Sequence, residues 1–495
     1  MKVKTKVVLS SNEWETRVGI IENGRLVEFY VEREGNKNLV GRIYKGRVEN
    51  VVRGLRGAFI NIGQRKNGFL PLTEIPEFEA LESDELEPEK SENPKPRTII
   101  LNEGEEILVQ VVKDPFAEKG ARLTSYVSIP GRYLVYFPNG ERIGVSRRIW
   151  DRRERGRLRS ITKRCKAAHA GLIIRTIAEN AKAEGLRSEY QRLEKVWEEI
   201  GIRAETASSP SVLYEEPSIG VKLVRDQFGS NVEKVLVDSP GRHQEISDYL
   251  LQVAPRLKRK VELYQGEVPL LEHAGVEAEL ERVFQKRLWL KSGGFIAIDQ
   301  TEAMVAIDVN TGRSSKEEDP ERLIFQTNLE AADEIARQIR LRDLAGLIII
   351  DFIDMEDTKN TERVVSELKS QLVNDRAKAD YAKMSRFGLL EMTRERTRPG
   401  MMFAMCEVCP TCKGSGRVRS RAEAAMKIER AILFKLPKIR GKRIRIQASP
   451  WMTDFLTADW YDRLYEFAKR YELAIDVKTD YLIQPTDFKL LTDYS

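Results

Sequence analysis

Two aspartates, Asp308 and Asp351, stand near the ends of two apolar runs, residues 303–310 and residues 346–354. Carboxylates left at the rim of an apolar element are costly unless something positive holds them. A hard divalent cation is the simplest holder. Mg²⁺ takes one or two carboxylate oxygens, keeps several waters, and suits sites that act on phosphates. At such a site it orients a water for in-line attack on a phosphodiester and screens the charge of the transition state. Asn310 shares the strand end with Asp308 and adds a polar contact, whereas Asp354, three residues beyond Asp351, reads as structural. The plainer alternative is a pair of capping or salt-bridged aspartates.

The elements that must position this pair are legible nearby. Both runs are apolar throughout instead of alternating, so both read as strands buried on both faces. Between them, residues 320–342 place Leu323, Phe325, Leu329, Ala332, Ile335 and Ile339 at roughly helical spacing. Strand, helix and strand in this order imply two parallel neighbours in one sheet. Asp308 and Asp351 then lie together at the carboxyl ends, the edge where open α/β sheets bind ligands.

Three other groupings carry chemistry. Between residues 38 and 119, short strands broken by glycines suggest a small β-barrel, with Phe59 and Phe69 facing outward as stacking platforms. Lys45, Lys113 and Lys119 stand nearby for phosphates, and the alternative is that both rings are core. An acidic, proline-rich stretch over residues 76–98 reads as a loop inserted in this barrel. In residues 171–176 a buried strand ends in Arg175 and Thr176, a guanidinium beside a hydroxyl, which suits a phosphate; an ordinary surface salt bridge is the competing role. Finally, Cys409-Pro410-Thr411-Cys412 supplies two thiolates, with Cys406 three residues before. A structural zinc wants four ligands, so either a distant residue joins or two chains share one zinc. A redox pair is the other reading, and nothing thioredoxin-like is evident around the cysteines.

At 495 residues the chain needs several domains. Its 83 Lys+Arg against 77 Asp+Glu leave a net charge of only +6, but the charge is segregated. Basic clusters fall at residues 147–166, 256–260, 394–398 and 438–445, apart from the acidic segment at 74–92. This separation fits a nucleic-acid path better than solvated faces alone. Four cysteines exclude a disulfide scaffold, and no stretch reaches the ~18 apolar residues of a membrane span. With no leader evident after Met1, the expected setting is soluble and cytoplasmic.

The motifs together resemble those of the ribonuclease E/G family of bacterial endoribonucleases. The carriers are residues 301–310, residues 328–338 from Asn328-Leu329-Glu330-Ala331-Ala332, residues 346–355, Ser385-Arg386-Phe387-Gly388-Leu389, and Cys409-Pro410-Thr411-Cys412. The similarity runs from Met1 to at least Gly416, and the chain looks like the family's short form without a long scaffold tail. The resemblance implies an α/β multidomain fold. Its parts would be an RNase H-like domain (residues 1–38 and 219–283), an S1-type OB barrel (39–122) and a 5′-sensor (123–218). A DNase I-like catalytic domain (284–405), a zinc-link (406–416) and a small C-terminal α/β domain (417–495) would follow. It also implies catalytic Mg²⁺ on Asp308 and Asp351 supported by Asn310, and RNA contacts at Phe59, Phe69, Lys113 and Lys119. A 5′-monophosphate pocket would comprise Gly131, Val135, Arg175, Thr176 and Lys378. Lys378 stands where the family has an arginine; it keeps the charge but loses the planar fork. Cys409 and Cys412 would share a Zn²⁺ across a homodimer or dimer of dimers, with Cys406 an extra thiol, and the insertion at 74–92 exceeds the family's shorter loop. The implied activity is Mg²⁺-assisted cleavage of single-stranded, A/U-rich RNA in rRNA precursors and mRNA. A non-catalytic RNA-binding scaffold and a DNA nuclease are the rival readings.

Overall fold

The computed structural model describes residues 4–34, 38–74, 97–98, 100–115, 119–140, 142–146, 148–166, 170–229, 231–312, 319–438 and 443–492. The acidic insertion expected over residues 76–98 lies outside them, apart from the short strand Arg97–Thr98. The chain divides into two units, Met1–Met401 and Met402–Ser495.

The first unit begins with three antiparallel strands, Thr5–Ser11, Glu15–Glu22 and Arg25–Arg33. Rich in β-branched residues, they cannot cover their own faces. Two parallel strands from far along the chain, Val232–Val237 and Val261–Leu263, extend the same sheet beside Thr5–Ser11. The helices Ile219–Gln227 and Pro240–Val253 supply the apolar cover, with Val221, Val224, Ile246 and Leu250 packed against Val7, Leu9, Val18 and Ile20.

Between these halves the chain builds a closed five-stranded, OB-like barrel from Ile43–Val52, Gly57–Asn61, Gly68–Pro71, Arg122–Thr124 and Glu106–Lys113, the last pairing back onto the first. Alternation sends Tyr44, Val48, Ala58, Ile60, Leu70 and Val109 into its interior. Next comes a four-stranded sheet of Ile129–Pro130, Leu134–Phe137, Gly171–Ile174 and Ile143–Val145. The helices Arg152–Cys165 and Ala183–Thr206 pack on it through Leu158, Leu186 and Leu193. The strand Ser211–Tyr214 then returns to pair with Ile43–Val52 of the barrel.

The aspartates belong to a six-stranded sheet in the order Arg287–Trp289, Phe295–Gln300, Met304–Asn310, Gly346–Asp351, Leu389–Arg394 and Ala379–Tyr381. Only the two aspartate strands run parallel; every other pair is antiparallel. The connecting helix is Pro320–Leu341, capped by the Asp319 carboxylate accepting from the Arg322 N–H and opened by a proline at its first turn. That helix and Thr358–Gln371 bury one face of the sheet, through Ile335, Ile339, Val364 and Leu368.

One expectation fails here. The apolar runs are not strands buried on both faces: Val305, Ile307 and Val309 are buried, but Met304, Ala306 and Asp308 between them are exposed. In the neighbour, Ile348 and Ile350 are buried while Leu347 and Asp351 are exposed. Helices cover a single face, so half of each apolar run lines an open one. Apolar side chains also occur on open faces, so a continuous apolar run does not by itself require two covering layers.

The polar side of Pro320–Leu341 is buried as well, against the N-terminal sheet. Arg340 donates to both carboxylate oxygens of Glu22 (2.8 and 2.9 Å) and to Glu28 (2.9 Å). Arg25 reaches back to Asp333 and Glu334. Tyr30 donates to Glu28 at 2.6 Å, and Arg398 lies 3.7 Å above the Tyr30 ring while pairing with Asp343.

In the second unit, Arg443–Ala448 is the centre of a three-stranded sheet, parallel to Ala474–Thr479 and antiparallel to Phe488–Thr492. The helices Arg421–Lys435, Pro450–Thr457 and Tyr461–Arg470 pack on it through Ile428, Ile432, Met452 and Leu464. Among the described residues no helix is long and apolar enough to cross a membrane.

Candidate active site and nucleic-acid interface

Asp308 and Asp351 are direct cross-strand partners in the parallel pair. Side chains opposite one another share a face, so both carboxylates project from the open side of the sheet. Asn310, two residues along and therefore on the same face, donates its amide to Asp308 Oδ2 at 2.7 Å. Partial burial, then the nearby charge of Asp308, then that of Asp354 push the Asp351 carboxyl above its ordinary value. Asp354 is thus close enough for its charge to act on Asp351. Two adjacent exposed carboxylates, one of them fixed by an amide, form a donor set that fits a hard divalent cation. Among the described residues, no three His, Cys, Asp or Glu side chains form a group able to hold a metal ion.

The chain beyond Asp351 is held from behind by Asn328. This asparagine is fully buried in the middle of Pro320–Leu341. Its amide donates to the Ile353 carbonyl (2.8 Å) and its oxygen accepts from the Ile353 N–H (3.1 Å). Sequence reasoning passed over it, although an amide amid a stripe of Phe325, Ala331, Ala332 and Ile335 signals a buried polar group needing specific partners.

On the barrel, Phe59 and Phe69 are paired across adjacent strands, half-buried on the outer face, with ring centroids 5.7 Å apart. Gly57 makes room for this: a Cβ there would stand 2.2 Å from the Phe69 ring. The register continues the row, Phe69 opposite Arg122 and Arg122 opposite Lys113, so two aromatics and two exposed cations cross the barrel in one line. Arg122 was not singled out in the sequence; only the register reveals it. Lys119 is exposed just before that strand. Lys45 is different. Its ammonium donates to the Ala204 and Ala207 carbonyls (3.0 Å each) and pairs with Glu106 at 2.9 Å, which caps the end of helix Ala183–Thr206 and removes it from phosphate duty.

In the four-stranded sheet, Arg175 follows Gly171–Ile174. One of its terminal nitrogens donates to the Gly131 carbonyl and to Asp226 Oδ1, both at 2.7 Å. Burial raises the Asp226 carboxyl, but the guanidinium groups of Arg175 and Arg225 outweigh it and hold it below its ordinary value. The salt bridge posed as the competing role for Arg175 is therefore present, with Arg175 still a quarter exposed. Thr176 is exposed and shares a hydrogen bond with Ser146 (2.9 Å). Val135, half-buried, lies on Leu134–Phe137 opposite Ile173. Two residues past Ser146, Arg148 donates to the Asp375 carbonyl (3.3 Å), binding this segment to the loop that leads to the exposed Lys378.

In the second unit, Cys409 and Cys412 sit in a turn closed by the Lys413 N–H donating to the Cys409 carbonyl at 2.8 Å. The N–H groups of Cys412 and Thr411 point at the Cys409 sulfur and hold its thiol below the ordinary value. Donors aimed at the sulfur favour its ionised form, the form that ligates zinc. Cys406 is exposed, a few residues ahead.

A family model described as the ribonuclease E/G family matches residues 128–397, and one described as the RNase E/G thioredoxin-like domain matches residues 408–492. The chain belongs to the ribonuclease E/G family. Within it, the chain is ribonuclease G-like: it is 38% identical to ribonuclease G of Haemophilus influenzae over 443 residues, covering 89% of this chain and 90% of the relative. Ribonuclease G of Escherichia coli K12 is 37% identical over 446 residues, covering 90% and 91%. Ribonuclease E of H. influenzae is 34% identical over 493 residues, 99% of this chain but 52% of that longer protein. The second model corrects one expectation, since the cysteine pair does have thioredoxin-like surroundings. Its turn nevertheless precedes the first strand of that sheet, at Arg443.

Proposed function

We propose that the chain is an endoribonuclease that hydrolyses phosphodiester bonds in single-stranded, A/U-rich RNA, leaving a 5′-phosphate and a 3′-hydroxyl. The observation that carries this reading is the register that sets Asp308 against Asp351 on an open sheet face beside Asn310. Asp308 and Asp351 would hold Mg²⁺, and Asn310 fixes the Asp308 carboxylate by its hydrogen bond. When bound, Mg²⁺ supplies an oriented, activated water and screens the charge that develops on the phosphate. Phe59 and Phe69 offer ring faces to unpaired bases, while Lys113, Lys119 and Arg122 neutralise the adjoining backbone. Gly131, Val135, Arg175, Thr176 and Lys378 form the 5′-monophosphate pocket that favours substrates with that end. Cys409 and Cys412 share a structural Zn²⁺ with the same pair of a second chain, giving a homodimer or a dimer of dimers. The substrates are rRNA precursors and mRNA, handled in the cytoplasm.

Cleavage of a 5′-monophosphorylated single-stranded oligoribonucleotide, with and without Mg²⁺, tests the reading. Asp308→Asn and Asp351→Asn should each abolish turnover while RNA binding survives. Turnover retained by either variant refutes the assignment. A wild-type protein that binds RNA without ever cutting it is a scaffold instead, and equal cutting of a matched DNA strand makes it a DNA nuclease.

A further inference from the structure

We propose that Trp289, backed by Phe295 and flanked by Arg287, is a stacking subsite for one unpaired nucleobase of the RNA strand cut at Asp308 and Asp351. The inference rests on the endoribonuclease reading and adds to it a residue outside the aspartate strands. Two cross-strand rows place it: Trp289 opposite Phe295 opposite Asn310, and Arg287 opposite Ala297 opposite Asp308. Leu288, Ile296 and Val309 point the other way and are buried, so both rows lie on the open face with the carboxylates.

The rings are arranged for display. Trp289 is 65% exposed and meets Phe295 edge-on, with centroids 5.3 Å apart and planes at 61°. The Arg287 guanidinium carbon lies 5.3 Å from the Phe295 centroid. Phe295 is thus held from two sides, while the indole keeps a free face.

The platform is also fixed to the site. The turn after Trp289 is closed by the Leu290 N–H donating to the Gly294 carbonyl (2.8 Å) and is tied to helix Pro320–Leu341 by the Ser292 N–H donating to Glu330 (2.8 Å). It lies against the chain leaving Asn310 so closely that a Cβ on Gly312, at φ +65°, would stand 2.2 Å from the Gly293 carbonyl oxygen. Two strand spacings separate Trp289 from Asn310, about 10 Å. That is a span of one or two nucleotides of extended strand.

Charge selects the occupant. Besides the aspartate pair, the register puts Asp299 (paired with Lys286 at 2.7 Å) and Glu391 in the next row of the open face and Asp380 in the row beyond, all on the side away from Trp289, where Glu391 and Asp380 disfavour a polyanion. The Trp289 side carries Arg287 instead. An aromatic face beside a cation fits a base and its phosphate.

The test uses single-stranded oligoribonucleotides in which one abasic nucleotide is stepped across the cleavage site. Wild-type kcat/KM should fall about ten-fold at one position. Trp289→Ala should lose about as much on the intact strand, through KM more than kcat, and show no further loss at that position. Trp289→Phe should recover most of the loss. A Trp289→Ala enzyme within two-fold of wild type, or with the wild-type abasic profile, overturns the subsite. Should the wild type cut no RNA, the endoribonuclease reading fails on its own, and fluorescence anisotropy without Mg²⁺ decides the subsite. About ten-fold weaker strand binding by Trp289→Ala supports it, and equal binding overturns it.

Discussion

Asn328→Ala is the perturbation whose consequence follows most directly from the geometry. The side chain makes two hydrogen bonds, at 2.8 and 3.1 Å, to the backbone of Ile353, the second residue past the strand end at Asp351 and the one before Asp354. Removing it deprives a half-buried N–H and carbonyl of their partner at a cost of about 1 kcal/mol each, so about 2 kcal/mol in all. At ~1.4 kcal/mol per factor of ten, roughly a 30-fold loss in the population of the ordered turn follows. Because that turn sets where Asp351 and Asp354 point, kcat/KM on a single-stranded oligoribonucleotide should drop by about that factor, and the Mg²⁺ concentration giving half-maximal rate should rise. Asn328→Asp keeps the acceptor for the Ile353 N–H but sets a buried carboxylate against the Ile353 carbonyl, and should lose at least as much. Far-ultraviolet circular dichroism and thermal melting separate a displaced turn from a failed fold. A folded Asn328→Ala enzyme with kcat/KM and Mg²⁺ dependence within three-fold of wild type would refute the reasoning.

The remaining predictions concern other parts of the molecule. Burial raises the Glu28 carboxyl, but Arg376, Arg340 and the Tyr30 hydroxyl overcome it and hold the group down from 4.5 to about 2. A depressed folded value stabilises the fold fully above about pH 4.5, and that stability is lost as pH falls toward 2; it amounts to about 3 kcal/mol. Urea midpoints measured from pH 5 down to pH 2.5 should therefore fall steeply in wild type and less steeply in Glu28→Gln, and parallel slopes contradict the assignment. Arg175→Gln combined with Thr176→Val should slow 5′-monophosphorylated RNA about ten-fold while sparing 5′-hydroxyl RNA. Equal slowing of both removes the pocket from consideration. Metal analysis of the purified protein should find about half a zinc per chain, halving the apparent mass on chelation; one zinc per chain excludes a shared site.

What the sequence by itself determined is local order. Apolar runs, a helical period and strand–helix–strand succession were enough to put Asp308 and Asp351 at neighbouring strand ends. Alternation along short glycine-broken strands was enough for a barrel with Phe59 and Phe69 outside. Tertiary structure decided everything that depends on which distant segment lies alongside. It left one face of the aspartate sheet open, since period and hydropathy do not count covering layers. It took Lys45 from the phosphates and gave it to the end of a helix, at the carbonyl of Ala204, 159 residues later. It added Arg122 to the aromatic row through a register that no local pattern encodes. It also gave Arg340 and Glu28, 312 positions apart, a shared buried hydrogen bond. The physical reason is common to all four. Propensity and period act over a turn or a strand, whereas burial, register and the pairing of charges are properties of surfaces that exist only once remote stretches of chain have met.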